Sequence, residues 1–136
     1  MPEIPTGWFV IRSELNGMVA DVKDGYTNPG DPIITWPKQS GDNDNQVWRY
    51  NNGFFINKRS GLGSFGAGAI TAQVKQDSPR NLQQQWGYDN GYVFSHADTN
   101  LVLDVDKGAT ESGANVIIYG QKDGGSANQK WKLEPV

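Results

Sequence analysis

Two stretches of the chain carry the same polar and aromatic side chains at the same intervals. In the first, Asp21 precedes Trp36 by 15 residues, Trp36 precedes Gln46 by 10, and Asn45 stands immediately before that Gln. In the second, Asp104 precedes Tyr119 by 15 residues, Tyr119 precedes Gln129 by 10, and Asn128 stands immediately before that Gln. An ionised Asp accepts hydrogens from two hydroxyl groups, and such charge-assisted bonds are the stronger kind. An Asn amide both donates and accepts, so it matches a hydroxyl in either direction. An indole or phenol ring offers a flat apolar face whose contacts contribute on the order of 1 kcal/mol. Each copy therefore suits a ligand with neighbouring hydroxyls on one side and a patch of C–H bonds on the other.

Other chemistries lack their residues. There is no Cys, which excludes disulfide frameworks, thiol nucleophiles and Cys-containing zinc sites, and the single His96 excludes two-His metal motifs. His96 sits in Ser95-His96-Ala97-Asp98 with no nucleophile-elbow pattern anywhere, so it reads as a surface or turn residue. Asp42-Asn43-Asp44-Asn45-Gln46-Val47 starts like a calcium loop, yet Val47 stands where the sharp turn requires Gly and the closing Glu is missing. Gly61-Leu62-Gly63-Ser64-Phe65-Gly66 spells a dinucleotide fingerprint without the flanking strand and helix that such a site needs. A glycosidase sets two carboxylates about 5 to 9.5 Å apart across one bond, whereas each repeated set has one. No catalytic residue, metal or cofactor is expected.

Twelve Lys and Arg against fifteen Asp and Glu leave a net charge of −3, and no stretch gathers more than two adjacent cations. That removes the electrostatic footprint of a nucleic-acid or anionic-membrane binder. No segment approaches about 18 uninterrupted apolar residues, so membrane insertion is not expected either. The first residues lack the basic and apolar regions of a signal peptide, and no glycosylation sequon occurs. A cytoplasmic location, or secretion by an unconventional route, is the expectation.

The elements that must position the two sets come from an internal repeat. Gly7-Trp8-Phe9-Val10, Gly53-Phe54-Phe55-Ile56 and Gly91-Tyr92-Val93-Phe94 open three segments alike. Gln46-Val47-Trp48, Gln84-Gln85-Trp86 and Gln129-Lys130-Trp131 close them alike, with tryptophans 38 and then 45 residues apart. Repeats of about 7–50, 51–88 and 89–133 fill a chain of 136 residues, the size of one domain. Asn52-Gly53 and Asn90-Gly91, each flanked by aromatic residues, are strong hairpin signals. Short β-prone runs such as Val19–Val22, Ile33–Trp36, Leu101–Val105 and Val116–Tyr119 read as strands. Seventeen Gly and seven Pro favour turns over long helices. The class is all-β, and three repeats suit a closed threefold structure better than a propeller, which typically needs four or more blades.

Three Gln-x-Trp closures at this spacing resemble the ricin-B-type (R-type) lectin family of β-trefoils over essentially residues 7 to 133. The resemblance implies a β-trefoil of three pseudo-symmetric repeats. It also implies that Trp48, Trp86 and Trp131 fill a shared core while Gln46 and Gln129 orient the site carboxylates. The ligand it implies is galactose or N-acetylgalactosamine on glycoproteins or glycolipids, held by Asp21, Trp36, Asn45 and Gln46 and by Asp104, Tyr119, Asn128 and Gln129. The middle repeat departs from the pattern, with Ser64, Val74 and Gln83 at the matching positions and a five-residue shortening between the first two. A core requirement would not vanish together with a carboxylate, so the joint loss favours a ligand site in the other two repeats. Two shallow sites would act by avidity, and a homodimer would multiply that valency. The alternatives are a trefoil that binds proteins through its loops, such as a protease inhibitor, and a storage protein with no ligand.

Overall fold

A computed structural model of the chain describes residues 4–25, 32–60 and 85–136. The middle-repeat positions Ser64, Val74, Gln83 and Gln84, the Gly61–Gly66 run and most of the turn at 28–32 lie outside the described residues. Among those residues the chain forms ten short strands. They are β1 (Phe9–Ser13), β2 (Val19–Val22), β3 (Ile33–Trp36), β4 (Trp48–Asn51), β5 (Phe54–Asn57), β6 (Trp86–Asp89), β7 (Tyr92–Ser95), β8 (Leu101–Val105), β9 (Val116–Gly120) and β10 (Trp131–Pro135). All pair antiparallel, in one sheet ordered β3-β2-β1-β4-β5 with β10 also on β1, and a second ordered β6-β7-β8-β9.

The two ends of the chain close on each other, with Phe9 to Ser13 registered against Pro135 to Trp131. The expected hairpins form at Asn52-Gly53 and Asn90-Gly91. Both residues of each pair take positive φ, 51° and 92° in the first and 54° and 85° in the second. That backbone matches the twist of the flanking strands and is open to Asn and Gly at small cost.

The three closing tryptophans lie in one core with Phe9, Ile11, Phe55, Val93 and Leu103. Trp48 is 1% exposed, and Trp86 and Trp131 are fully buried. Burying an indole requires a partner for its N–H. Trp48 Nε1 donates to the Ala20 carbonyl at 3.2 Å and Trp131 Nε1 to the Leu103 carbonyl at 3.1 Å. The first and third closures are thereby tied to the strands that carry the site Asp of their own repeats. The repeats are also tied to one another: Tyr50 Oη donates to the Trp86 carbonyl at 2.5 Å, and Tyr88 Oη to the Trp131 carbonyl at 2.8 Å. The result is an all-β trefoil of three pseudo-symmetric repeats.

Candidate functional site

Asp21 lies inside β2 and Asp104 inside β8, neither at a strand end serving a turn. Their partners arrive on single 3-10 turns, Asp44–Gln46 and Ala127–Gln129, immediately before the buried tryptophans. Asn45 Nδ2 donates to Asp21 Oδ1 and to the Val22 carbonyl, both at 3.1 Å. Gln46 Nε2 donates to Asp21 Oδ2 at 2.9 Å and to the Pro37 carbonyl at 3.0 Å. The third repeat copies this set atom for atom. Asn128 Nδ2 donates to Asp104 Oδ1 at 3.3 Å and to the Val105 carbonyl at 3.2 Å, and Gln129 Nε2 to Asp104 Oδ2 at 2.9 Å and to the Gly120 carbonyl at 3.0 Å.

This geometry divides the work among the eight side chains. Gln46 and Gln129 are fully buried, so they hold the carboxylates and the loops and present nothing at the surface. Their Oε1 atoms accept the backbone N–H of Gln39 and of Lys122, both at 2.9 Å, which fixes the loop after each aromatic residue. Each Asp oxygen accepts one amide hydrogen and keeps a second acceptor position, so two remain per carboxylate for a ligand. The Asn side chains differ from the expectation of matching a hydroxyl in either direction. Both hydrogens of Asn45 and of Asn128 are directed into the protein, and the group left for a ligand is the amide oxygen.

Trp36 and Tyr119 are not core. Trp36 is 37% exposed and Tyr119 55%, while the closing tryptophans are buried. An aromatic ring partly in water beside a buried, amide-anchored carboxylate sets an apolar face next to hydrogen-bond acceptors.

Burial has an electrostatic consequence. It lifts the Asp21 carboxyl from its ordinary 3.8 to about 6; the Gln46 and Asn45 donations pull the other way, and the nearby Asp24 adds to the rise. Burial raises Asp104 too, opposed by the Gln129 bond and the positive charge of Lys122. Lys122 Nζ also stands 5.6 Å from the centre of the Tyr119 ring.

The model of the ricin-type β-trefoil lectin domain matches residues 7–131 of the sequence. The chain belongs to that lectin family. The C-half of an earthworm R-type lectin, solved in complex with GalNAc, is 31% identical with a TM-score of 0.84, covering 96% of this chain and 98% of that one. ThreeFoil, a designed threefold-symmetric protein, is 27% identical with a TM-score of 0.74 over 95% of this chain and 99% of its own. Mucoricin from Rhizopus delemar is 48% identical over 52 residues, which are 38% of this chain and 35% of mucoricin. The chain thus spans about a third of that relative. As a member of this family, it is a carbohydrate-binding domain.

Seen within the lectin fold, the first-repeat site is not made by the first repeat alone. Asp21, Trp36 and Asn45 open onto a groove of about 600 Å3 whose walls include Arg59 from beyond β5 and Gly113 from the third repeat. Gly113 N donates to the Thr35 carbonyl at 2.7 Å, which brings its turn alongside Trp36. Asn57, fully buried, donates to the Asn45 carbonyl at 3.0 Å and supports the loop beneath the site. None of these three belongs to the repeated set, and comparison of repeats is blind to residues that only one site has.

Proposed function

We propose that the chain binds terminal galactose or N-acetylgalactosamine through the Asp21 and Asp104 sites, without catalysis. The single observation that carries this reading is the twofold recurrence of a buried Asp, gripped by Asn and Gln amides, beside an exposed aromatic ring. The Asp oxygens take the hydroxyl hydrogens, the Asn oxygen takes another, and the ring covers the C–H face. The GalNAc held by the earthworm relative supports the same sugar class here. The set that recurs in both sites holds one carboxylate per copy, not the pair that a glycosidase places across the scissile bond. Single sites of this shallow kind bind at roughly 0.1 to 1 mM, so glycoproteins or glycolipids with clustered sugars are engaged through both sites together.

Calorimetric titration with galactose and N-acetylgalactosamine tests the reading on the wild type, Asp21→Asn, Asp104→Asn and the double variant. Two saturable sites are expected in the wild type, one in each single variant and none in the double. Binding that ignores both substitutions overturns the assignment and favours recognition of proteins by the loops.

A further inference from the structure

The two sites differ in one corner, where, among the described residues, the first carries an ion pair that the third does not. Each Gln-x-Trp tryptophan is registered against the last residue of a neighbouring strand: Trp48 against Asn57, Trp86 against Ser95 and Trp131 against Ser13. The side-chain oxygen of each of these three accepts the backbone N–H two residues on, from Arg59 at 3.2 Å, Ala97 at 3.1 Å and Leu15 at 3.1 Å. Arg59 beside the first site and Leu15 beside the third are therefore equivalent positions. Leu15 packs against the core. Arg59 instead runs across Gly25, where a Cβ would lie 3.4 Å from its Nε, and its Nη2 donates to Asp42 Oδ1 at 3.1 Å. Asp42 precedes Trp48 by six residues, and the residue six before Trp131 is Gly125.

We propose that the Arg59–Asp42 pair is a second subsite, so that the first-repeat groove reads a neutral glycan of at least two sugars while the third-repeat site reads the terminal sugar alone. This rests on the lectin reading above. Arg59 and Asp42 line the same groove as Asp21, Trp36 and Asn45, and its volume of about 600 Å3 exceeds what one sugar fills. Among the described residues, the Arg59 guanidinium uses Nη2 on Asp42 and has further N–H groups to donate, while Asp42 Oδ2 is an acceptor. A donor and an acceptor side by side match the hydroxyls of a second sugar ring. The ligand is neutral because the cations of the groove, Lys23 and Arg59, are outnumbered by Asp21, Asp24 and Asp42.

The test uses Asp104→Asn, in which only the first site operates, and the same variant carrying Arg59→Leu or Arg59→Lys. Each is titrated by calorimetry with N-acetylgalactosamine, with lactose and other galactose-terminated disaccharides of differing linkage, and with a sialylated trisaccharide. At least one neutral disaccharide is expected to bind roughly fivefold or more tighter than the monosaccharide, the gain that one or two added hydrogen bonds supply. Arg59→Leu removes that gain, so that disaccharide affinity falls severalfold more than monosaccharide affinity, while Arg59→Lys keeps part of it. Equal affinity for monosaccharide and every disaccharide overturns the proposal, as does an Arg59→Leu loss of the same size for both ligand classes. A larger gain for the sialylated ligand than for any neutral one overturns its neutral character. Failure of the lectin reading looks different: then N-acetylgalactosamine itself does not bind, or binds regardless of Asp21.

Discussion

Gln46 Nε2 donates to Asp21 Oδ2 at 2.9 Å from a position with no exposed surface, so the residue that orients the carboxylate never meets the ligand. The same side chain holds the Pro37 carbonyl and the Gln39 N–H, and its loss leaves all three groups without their partner. Gln46→Met keeps the volume and removes the polarity. It should lower stability by about 1–3 kcal/mol, the cost of stranding buried polar groups. It should also weaken sugar binding at the first site several-fold while the third site is untouched. Denaturant unfolding and a sugar titration on the Asp104→Asn background measure the two effects, and a stable variant with full first-site affinity would contradict the positioning role.

Gly87 and Phe94 face each other across β6 and β7, and the ring lies over the glycine. A Cβ at Gly87 would stand 2.3 Å from Phe94 Cζ. Gly87→Ala therefore forces the ring off its seat at a cost of about 1–3 kcal/mol, as overpacking does elsewhere. Phe94→Leu in the same background should recover part of the loss, because the obstructing ring is gone. A thermal melt of the two variants decides it, and a Gly87→Ala protein as stable as the wild type would mean the ring moves freely.

The strands and hairpins were legible because their signals are local. Val19–Val22, Ile33–Trp36 and Leu101–Val105 are strands with the limits read from the sequence, and Asn52-Gly53 and Asn90-Gly91 take the φ values their composition demands. The pairing of Asp21 with Asn45 and Gln46 was legible for another reason: a second copy at an offset of 83 residues repeats every spacing. Arg59, Asn57 and Gly113 were not legible. They approach the first site from other repeats, through tertiary packing that no interval along the chain encodes. The direction of the Asn45 amide was also hidden, since it depends on where the Val22 carbonyl lies.

Four aromatic residues separate site from scaffold. Trp36→Ala and Tyr119→Ala remove partly exposed rings and should cost about 1–2 kcal/mol of stability. Each should weaken its own site about fivefold, the equivalent of a contact on the order of 1 kcal/mol. Trp48→Ala and Trp131→Ala empty the core and should cost about 3–5 kcal/mol. Unfolding curves beside titrations make the comparison, and a large stability loss for Trp36→Ala would return that ring to the core.

The buried carboxylate makes sugar binding depend on pH with a definite sign. The anion is the form that accepts hydroxyl hydrogens, and the Asp21 carboxyl sits at about 6 rather than 3.8. Near pH 5, about one unit below that value, roughly a tenth of it stays ionised, so first-site affinity should fall about tenfold from its value near pH 7. Stability moves the other way. Because the folded chain holds the proton more tightly than the unfolded chain, the cost of burying the charge is full above about pH 6 and is relieved as the pH falls toward 3.8. Asp21→Asn has no such group, so acidification should shift the stability difference in favour of the wild type. Asp104, raised by burial in the same direction, adds the same trend at the third site. Titrations and denaturant unfolding at both pH values, on the wild type and Asp21→Asn, follow the two signs, and a first-site affinity unchanged between them would remove the carboxylate from the binding step.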